Sequence, residues 1–124
     1  MTLFQLRITD EGFIETTLKD GISARELKLG ITEAHQLAVD REIERFLVDA
    51  SSATSNIPLV TYYQLPDFYS SLNISRSSRI AVLSSRSQRG RKRARFFVNV
   101  CINRGWQARL FYDRSEAVNW LVEG

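Results

Sequence analysis

Residues 97–124 read FVNVCINRGWQARLFYDRSEAVNWLVEG, and the boundaries inside this stretch decide the fold. An amphipathic helix runs up to Asn103-Arg104-Gly105, where Gly105 is the expected left-handed stop. A strand follows from Trp106 to Tyr112. Asp113, with Glu116 three residues on, is an N-cap with a capping-box acid. A short helix then closes on Trp120-Leu121. Three elements with physical punctuation between them predict a helix–strand–helix end.

Working back from there, Phe97, Cys101 and Arg104 share one face of the preceding helix, with Ala94, Val98 and Ile102 flanking it. That helix is expected from about Gly90 to Asn103. Before it, Arg79-Ile80-Ala81-Val82-Leu83 reads as a buried strand. A helical segment is expected from about Pro58 to Leu72, with Pro58 suited to the first turn and Pro66 predicting a kink or two short helices. Ile43 to Ala50 is a further strand, with Phe46-Leu47-Val48 as its buried run. Ser23 and Glu26 form a capping box ahead of a period of Leu27, Ile31, Ala34 and Ala38. Gly30 within that helix points to a bend or to close packing. At the start, Leu3–Ile8 and Phe13–Leu18 flank Asp10-Glu11-Gly12 as a hairpin. The order is β-β-α-β-α-β-α-β-α. It predicts a single α/β domain over residues 1–124, a mixed sheet of about five strands with an initial hairpin and then parallel strands, and about four helices.

At 124 residues the chain is long enough for a core without staples. Cys101 is the only cysteine, which excludes an intrachain disulfide and a thiolate metal cluster. The opening MTLFQLRITDEG carries charges early, unlike a signal peptide, and no apolar run reaches the roughly 18 residues of a membrane span. A cytoplasmic setting is expected. The net charge of +3 conceals an asymmetry: residues 1–67 hold eleven acids and six bases, whereas residues 68–112 hold ten bases and no acid.

Several of these segments together resemble a known family. LVDAS at the third strand's end, RIAVL in the fourth, Phe96-Phe97 opening the next helix, then NRG and LFYDRSEAVNWL, are similar in order and spacing to the SpoIIAA-like branch of the STAS domain superfamily. The resemblance implies a non-enzymatic bacterial module for regulation or ligand binding. In that family, members of the anti-sigma-antagonist type are switched at a serine within an Asp-Ser-Gly-like element. Asp49-Ala50-Ser51-Ser52 is not followed by that glycine, so the switch lacks its element here. The branch is also likened to CRAL-TRIO lipid-binding domains, which implies an apolar ligand as one option.

Ligands of open parallel sheets sit beyond the carboxyl ends of the strands. Those ends feed Asp49–Ser52, Ser84–Ser87 and Tyr112–Ser115, and the candidate ligand-binding residues are Ser51, Ser52, Ser85, Arg86 and Arg114. Hydroxyls and guanidinium forks suit a phosphate or carboxylate. The alternative is that these residues merely cap helices and fill turns. Arg86, Arg89, Arg91, Lys92, Arg93 and Arg95 form a basic patch within ten positions. It reads either as a solvated basic loop or as a footprint for nucleic acid, an anionic surface or an acidic partner. Nucleic acid ranks behind a protein partner or a small anionic or lipid ligand, because no aromatic platform or recognition-helix motif accompanies the charges. These charges also oppose the dipole of the helix they precede.

His35 has no second ligand at metal spacing and is expected at the surface or at a boundary. Cys101 is expected to be a buried thiol. Tyr62, Tyr63, Phe68 and Tyr69 cluster around Pro66, as core, as a lipid pocket wall or as a homodimer face. Asp49 and Asp113 are the only carboxylates placed near a plausible pocket. No catalytic residue, metal or cofactor is expected, and the chain is expected not to be an enzyme.

Overall fold

Gly105 adopts a φ of 96°, and the helix before it closes in a Schellman turn: its N–H donates to Ile102 and that of Trp106 donates to Cys101. The computed structural model describes residues 2–54 and 57–123. Its elements are β1 (Phe4–Ile8), β2 (Ile14–Leu18), α1 (Ala24–Arg41), β3 (Arg45–Ala50), α2 (Leu59–Ser71), β4 (Arg79–Ser84), α3 (Gln88–Asn103), β5 (Gln107–Phe111) and α4 (Arg114–Glu123). The five strands lie in the order β1-β2-β3-β4-β5. β1 and β2 are antiparallel, and every later pairing is parallel, with Val48 opposite Val82 and Val82 opposite Leu110. This is the mixed sheet that the element order implies.

Sheet order and chain order coincide, and that has a consequence. β2-α1-β3, β3-α2-β4 and β4-α3-β5 each step one strand the same way. Right-handed crossovers that all step in one direction put their helices on one face. α1, α2 and α3 accordingly pack over Val48, Ile80 and Val82, while α4 alone covers Leu47, Ala81 and Leu83 on the other side.

Local chemistry sets each boundary. The Ser23 hydroxyl accepts from the Glu26 N–H and Glu26 reaches back to the Ser23 N–H, a complete capping box. Gly30 serves close packing: a Cβ there would sit 3.2 Å from the Phe4 ring. α2 is one helix through Pro66, not two, because Leu65, Pro66 and Tyr69 are buried and hold the turn in place. The basic segment is also not a loop. Ser87 accepts from the Gly90 N–H at 3.1 Å, which starts α3 at Gln88 and places Arg89 to Arg95 in its first two turns. Ile102, expected to flank the buried face, is exposed, and Val100 is buried in its stead beside Cys101.

Candidate functional site

The loops beyond the carboxyl ends of the strands hold four of the five candidate residues, the fifth, Arg114, opens α4, and the hydrogen bonds of these loops are largely internal. Asp49 accepts from the Ser51 N–H at 3.0 Å and from its hydroxyl at 2.6 Å. Asp113 accepts from the N–H and hydroxyl of Ser115, both at 2.9 Å, which holds its carboxyl below the ordinary carboxylate range. The hydroxyls of Ser85 and Ser87 are 2.9 Å apart. Ser51 and Ser52 follow β3 and Ser85 and Arg86 follow β4, which brings these four to neighbouring loops because Ala50 pairs with Ser84. Arg86 extends toward the fifth strand's end, its guanidinium 5.9 Å from the Tyr112 ring.

Arg114 turns elsewhere. Its two terminal nitrogens meet both oxygens of Glu15 at 2.9 and 2.5 Å. The Glu15 carboxylate is 7% exposed and also meets Arg7 at 3.2 Å. The Arg114 hydrogen bond holds the Glu15 carboxyl below its ordinary value against the opposing effect of burial. The pair ties β2 to the first turn of α4.

An apolar cavity lies on the other face of the sheet. A cavity of about 140 Å³ sits between the strands and α1–α3. Its floor is a set of alternate strand positions that shrink toward the carboxyl edge: Phe46, Val48, Ala50 on β3 and Ile80, Val82, Ser84 on β4. Bulky side chains fill the space at one end and small ones leave it open at the other. The roof is Ile31 and Ala34 of α1, Tyr62 and Leu65 of α2, and Ala94 and Phe97 of α3. Phe46 and Val48, read from sequence as part of a buried run, are only half-buried because they border this space, whereas Leu47 between them is fully buried.

The polar groups around the cavity are few and separated. Arg93 and Ser84 stand at the carboxyl-edge end with Gly90, and His35 stands at the far end beside Phe46 and Ile74. Nη1 of Arg93 donates to the Ile57 carbonyl. The ion pairs among the described residues are Arg7–Glu15, Arg104–Asp67 and Arg114–Glu15, so Arg93 has no carboxylate partner there. Tyr62 and Tyr69 meet Phe97 edge-on, with ring centroids 6.3 and 6.2 Å away. Burial pushes the Tyr69 hydroxyl well above its ordinary value. The aromatic cluster thus divides, with Tyr62 and Tyr69 on the cavity and Tyr63 in solvent.

The structure also divides the basic patch. Arg91, Lys92 and Arg95 face outward around a shallow depression with Gln88, Phe96 and Asn99, while Arg93 turns in. The cavity role of Arg93, Ser84 and Ala94 is absent from the sequence reading. Two signals point to it: Arg93 lies four residues before Phe97 on the buried stripe, and the inward positions of β3 and β4 taper from Phe and Ile to Ala and Ser. Cys101 is fully buried and its thiol is pushed up to about 12. Among the described residues no group of three His, Cys, Asp or Glu is placed to hold a metal ion. No described helix is long and apolar enough to cross a membrane.

No protein-family model matches the chain, and no curated protein matches it. Among solved structures it is similar to an uncharacterized protein of the DUF3478 family with a SpoIIAA-like fold from Shewanella loihica PV-4, with a TM-score of 0.63 over 95% of this chain and 91% of that one. At 12% identity this likeness concerns the fold, and the fold of the present chain is SpoIIAA-like.

Proposed function

We propose that this chain is a non-enzymatic STAS-like module of the bacterial cytoplasm that regulates by binding, and that its ligand is a small molecule with an apolar body held under α1–α3. The observation that carries this reading is the cavity. Side chains around an unfilled volume of about 140 Å³ lack packing partners on that side, and an occupant would supply them. A site of this volume accepts roughly a benzene ring or six aliphatic carbons. Its apolar walls with a few separated polar groups have the make-up of a small-molecule site. Binding without chemistry fits the same surroundings, since His35 and Arg93 lie at opposite ends and Tyr69 holds its proton firmly.

Titration with 1-hexanol is expected to shift the methyl resonances of Leu65, Ile80 and Val82. Gently purified protein from the native host is expected to carry a noncovalent small-molecule adduct in native mass spectrometry. Methyl resonances that stay put, together with protein free of any adduct, overturn the reading.

A second reading rests on the outward face of α3, where Arg91, Lys92 and Arg95 stand exposed or nearly so. It makes the chain a binder of nucleic acid or of another anionic surface. Retention of duplex DNA at low salt, lost steeply as salt rises by a slope of about 0.9 per neutralised phosphate, is its signature. A gel shift without retention at low salt removes it.

A further inference from the structure

The cavity has one guanidinium, and its situation is unusual. Arg93 is half-buried in a largely apolar lining, and no described carboxylate pairs with it. Among the described residues its one protein partner is the Ile57 carbonyl, reached through Nη1, and Nε and Nη2 meet no acceptor there. A partly desolvated charge without a counter-charge is unfavourable, and a fork of N–H donors is shaped for a planar anion. Ser84, the small end of the tapered β4 row, leaves room at the same end of the cavity, its hydroxyl donating to the Ser85 carbonyl at 2.9 Å. Along β3 the floor from Ala50 back to Phe46 is roughly 13 Å of strand, at about 3.3 Å per residue, and it grows steadily more apolar and bulky.

We propose that the occupant is a short monocarboxylic acid. Its carboxylate sits on Arg93 beside Ser84 and Gly90, and its apolar tail of about five carbons lies along the sheet under α1 toward His35. A carboxylate is favoured over a phosphate because one fork balances one negative charge, and a bidentate guanidinium–carboxylate pair uses the two free donors together. The inference rests on the cavity being the ligand site, and it adds which end of the ligand carries the charge. It also separates Arg93 from its neighbours Arg91, Lys92 and Arg95, which point away from the cavity.

The test compares hexanoic acid, 1-hexanol and hexyl phosphate by calorimetry at neutral pH, on the wild type and on Arg93→Met and Arg93→Lys. Wild-type protein is expected to bind hexanoate at least about tenfold more tightly than hexanol, as one charge-assisted pair supplies. Arg93→Met should erase that preference while leaving hexanol binding within about threefold, and Arg93→Lys should keep part of it. Hexanol binding as tightly as hexanoate in the wild type overturns the head-group assignment and leaves the cavity reading intact. Hexyl phosphate binding more tightly than hexanoate also overturns it, in favour of a phosphate. Failure of all three to bind removes both this inference and the cavity reading beneath it. The wild-type comparison needs no variant, so a misfolded Arg93→Met leaves the outcome decidable.

Discussion

The two faces of the sheet are built from the same strands and differ in how completely they are filled. On the α4 face, Phe13, Leu47, Ala81, Ala117 and Leu121 are all fully buried. On the face under α1, α2 and α3, Phe46 and Val48 remain half-buried around a cavity of about 140 Å³. One helix packs tightly where three helices leave a gap. A single helix can settle on its strip of sheet until the side chains interlock, whereas three helices tethered by successive crossovers are each held by a different strand pair. Small residues at the carboxyl edge then leave room that no side chain reaches.

The largest effect should come from opening the filled face. Leu47→Ala is expected to cost about 2–5 kcal/mol in urea unfolding, because a fully buried leucine leaves a new void. Val48→Ala, one residue along the same strand, should cost only about 1 kcal/mol, since its side chain already borders empty space. Equal losses at the two positions would break the contrast between the faces.

The next effect concerns the pair that fastens α4. Arg114→Met leaves the Glu15 carboxylate buried with only Arg7, itself largely exposed, and should cost about 1–3 kcal/mol at pH 7. The wild type also carries a pH signature of this contact. Arg114 lowers the folded-state pKa of Glu15 below its ordinary 4.5, so the stabilisation is complete above that value. It is lost as pH falls through the lowered folded-state value. Denaturation followed from pH 6 downward should show a steeper acid loss in wild type than in Arg114→Met. An unchanged acid limb would mean that the pair does not fasten the helix.

These two contacts also mark what was legible in advance. Element order, hairpin, capping box and Gly105 stop were readable because each depends on residues a few positions apart. Glu15 and Arg114 are 99 residues apart and meet only through the sheet, so the guanidinium read from sequence as a ligand group has a protein partner instead. The candidate serines Ser51, Ser52 and Ser85 lie on the loops after β3 and β4, yet Ser51 bonds to the acid two residues before it, as Ser115 in the first turn of α4 does to Asp113. The cavity was invisible for a different reason. An unfilled volume is a property of three helices and a sheet together, and only its taper along β3 and β4 leaves a trace in one dimension. Arg93 shows the same limit, since a run of six bases hides the one that turns inward.

A smaller effect sharpens the comparison in the opposite direction, by adding bulk. Ala81→Leu on the filled face should destabilise by about 1–3 kcal/mol, because a fully buried alanine has no room to grow. Ala94→Leu, on the cavity wall, should stay within about 0.5 kcal/mol of wild type or stabilise it, and should block hexanol. Ala94→Leu destabilising as much as Ala81→Leu would show that the space is too small to fill, and with it too small to bind.

The smallest expected effect reaches the helix that contributes Arg93. α3 begins with no acid in its first turn, although its N-terminal dipole favours one, and bases occupy its second and fourth positions. Gln88→Glu places a carboxylate on the first helical residue and four residues before Lys92, a spacing that permits an ion pair. Both contributions favour the folded state, so the variant should be more stable by about 0.3–1 kcal/mol, an increment reduced by added salt. The wild-type sequence forgoes this stabilisation. A cationic helix start beside the mouth of a cavity raises the local concentration of anions, and an acid at that position would oppose it. Gln88→Glu should therefore weaken hexanoate binding modestly at low salt while leaving hexanol unaffected. Stability that rises with no change in hexanoate affinity would separate the basic start of α3 from the cavity and return those charges to the outer face alone.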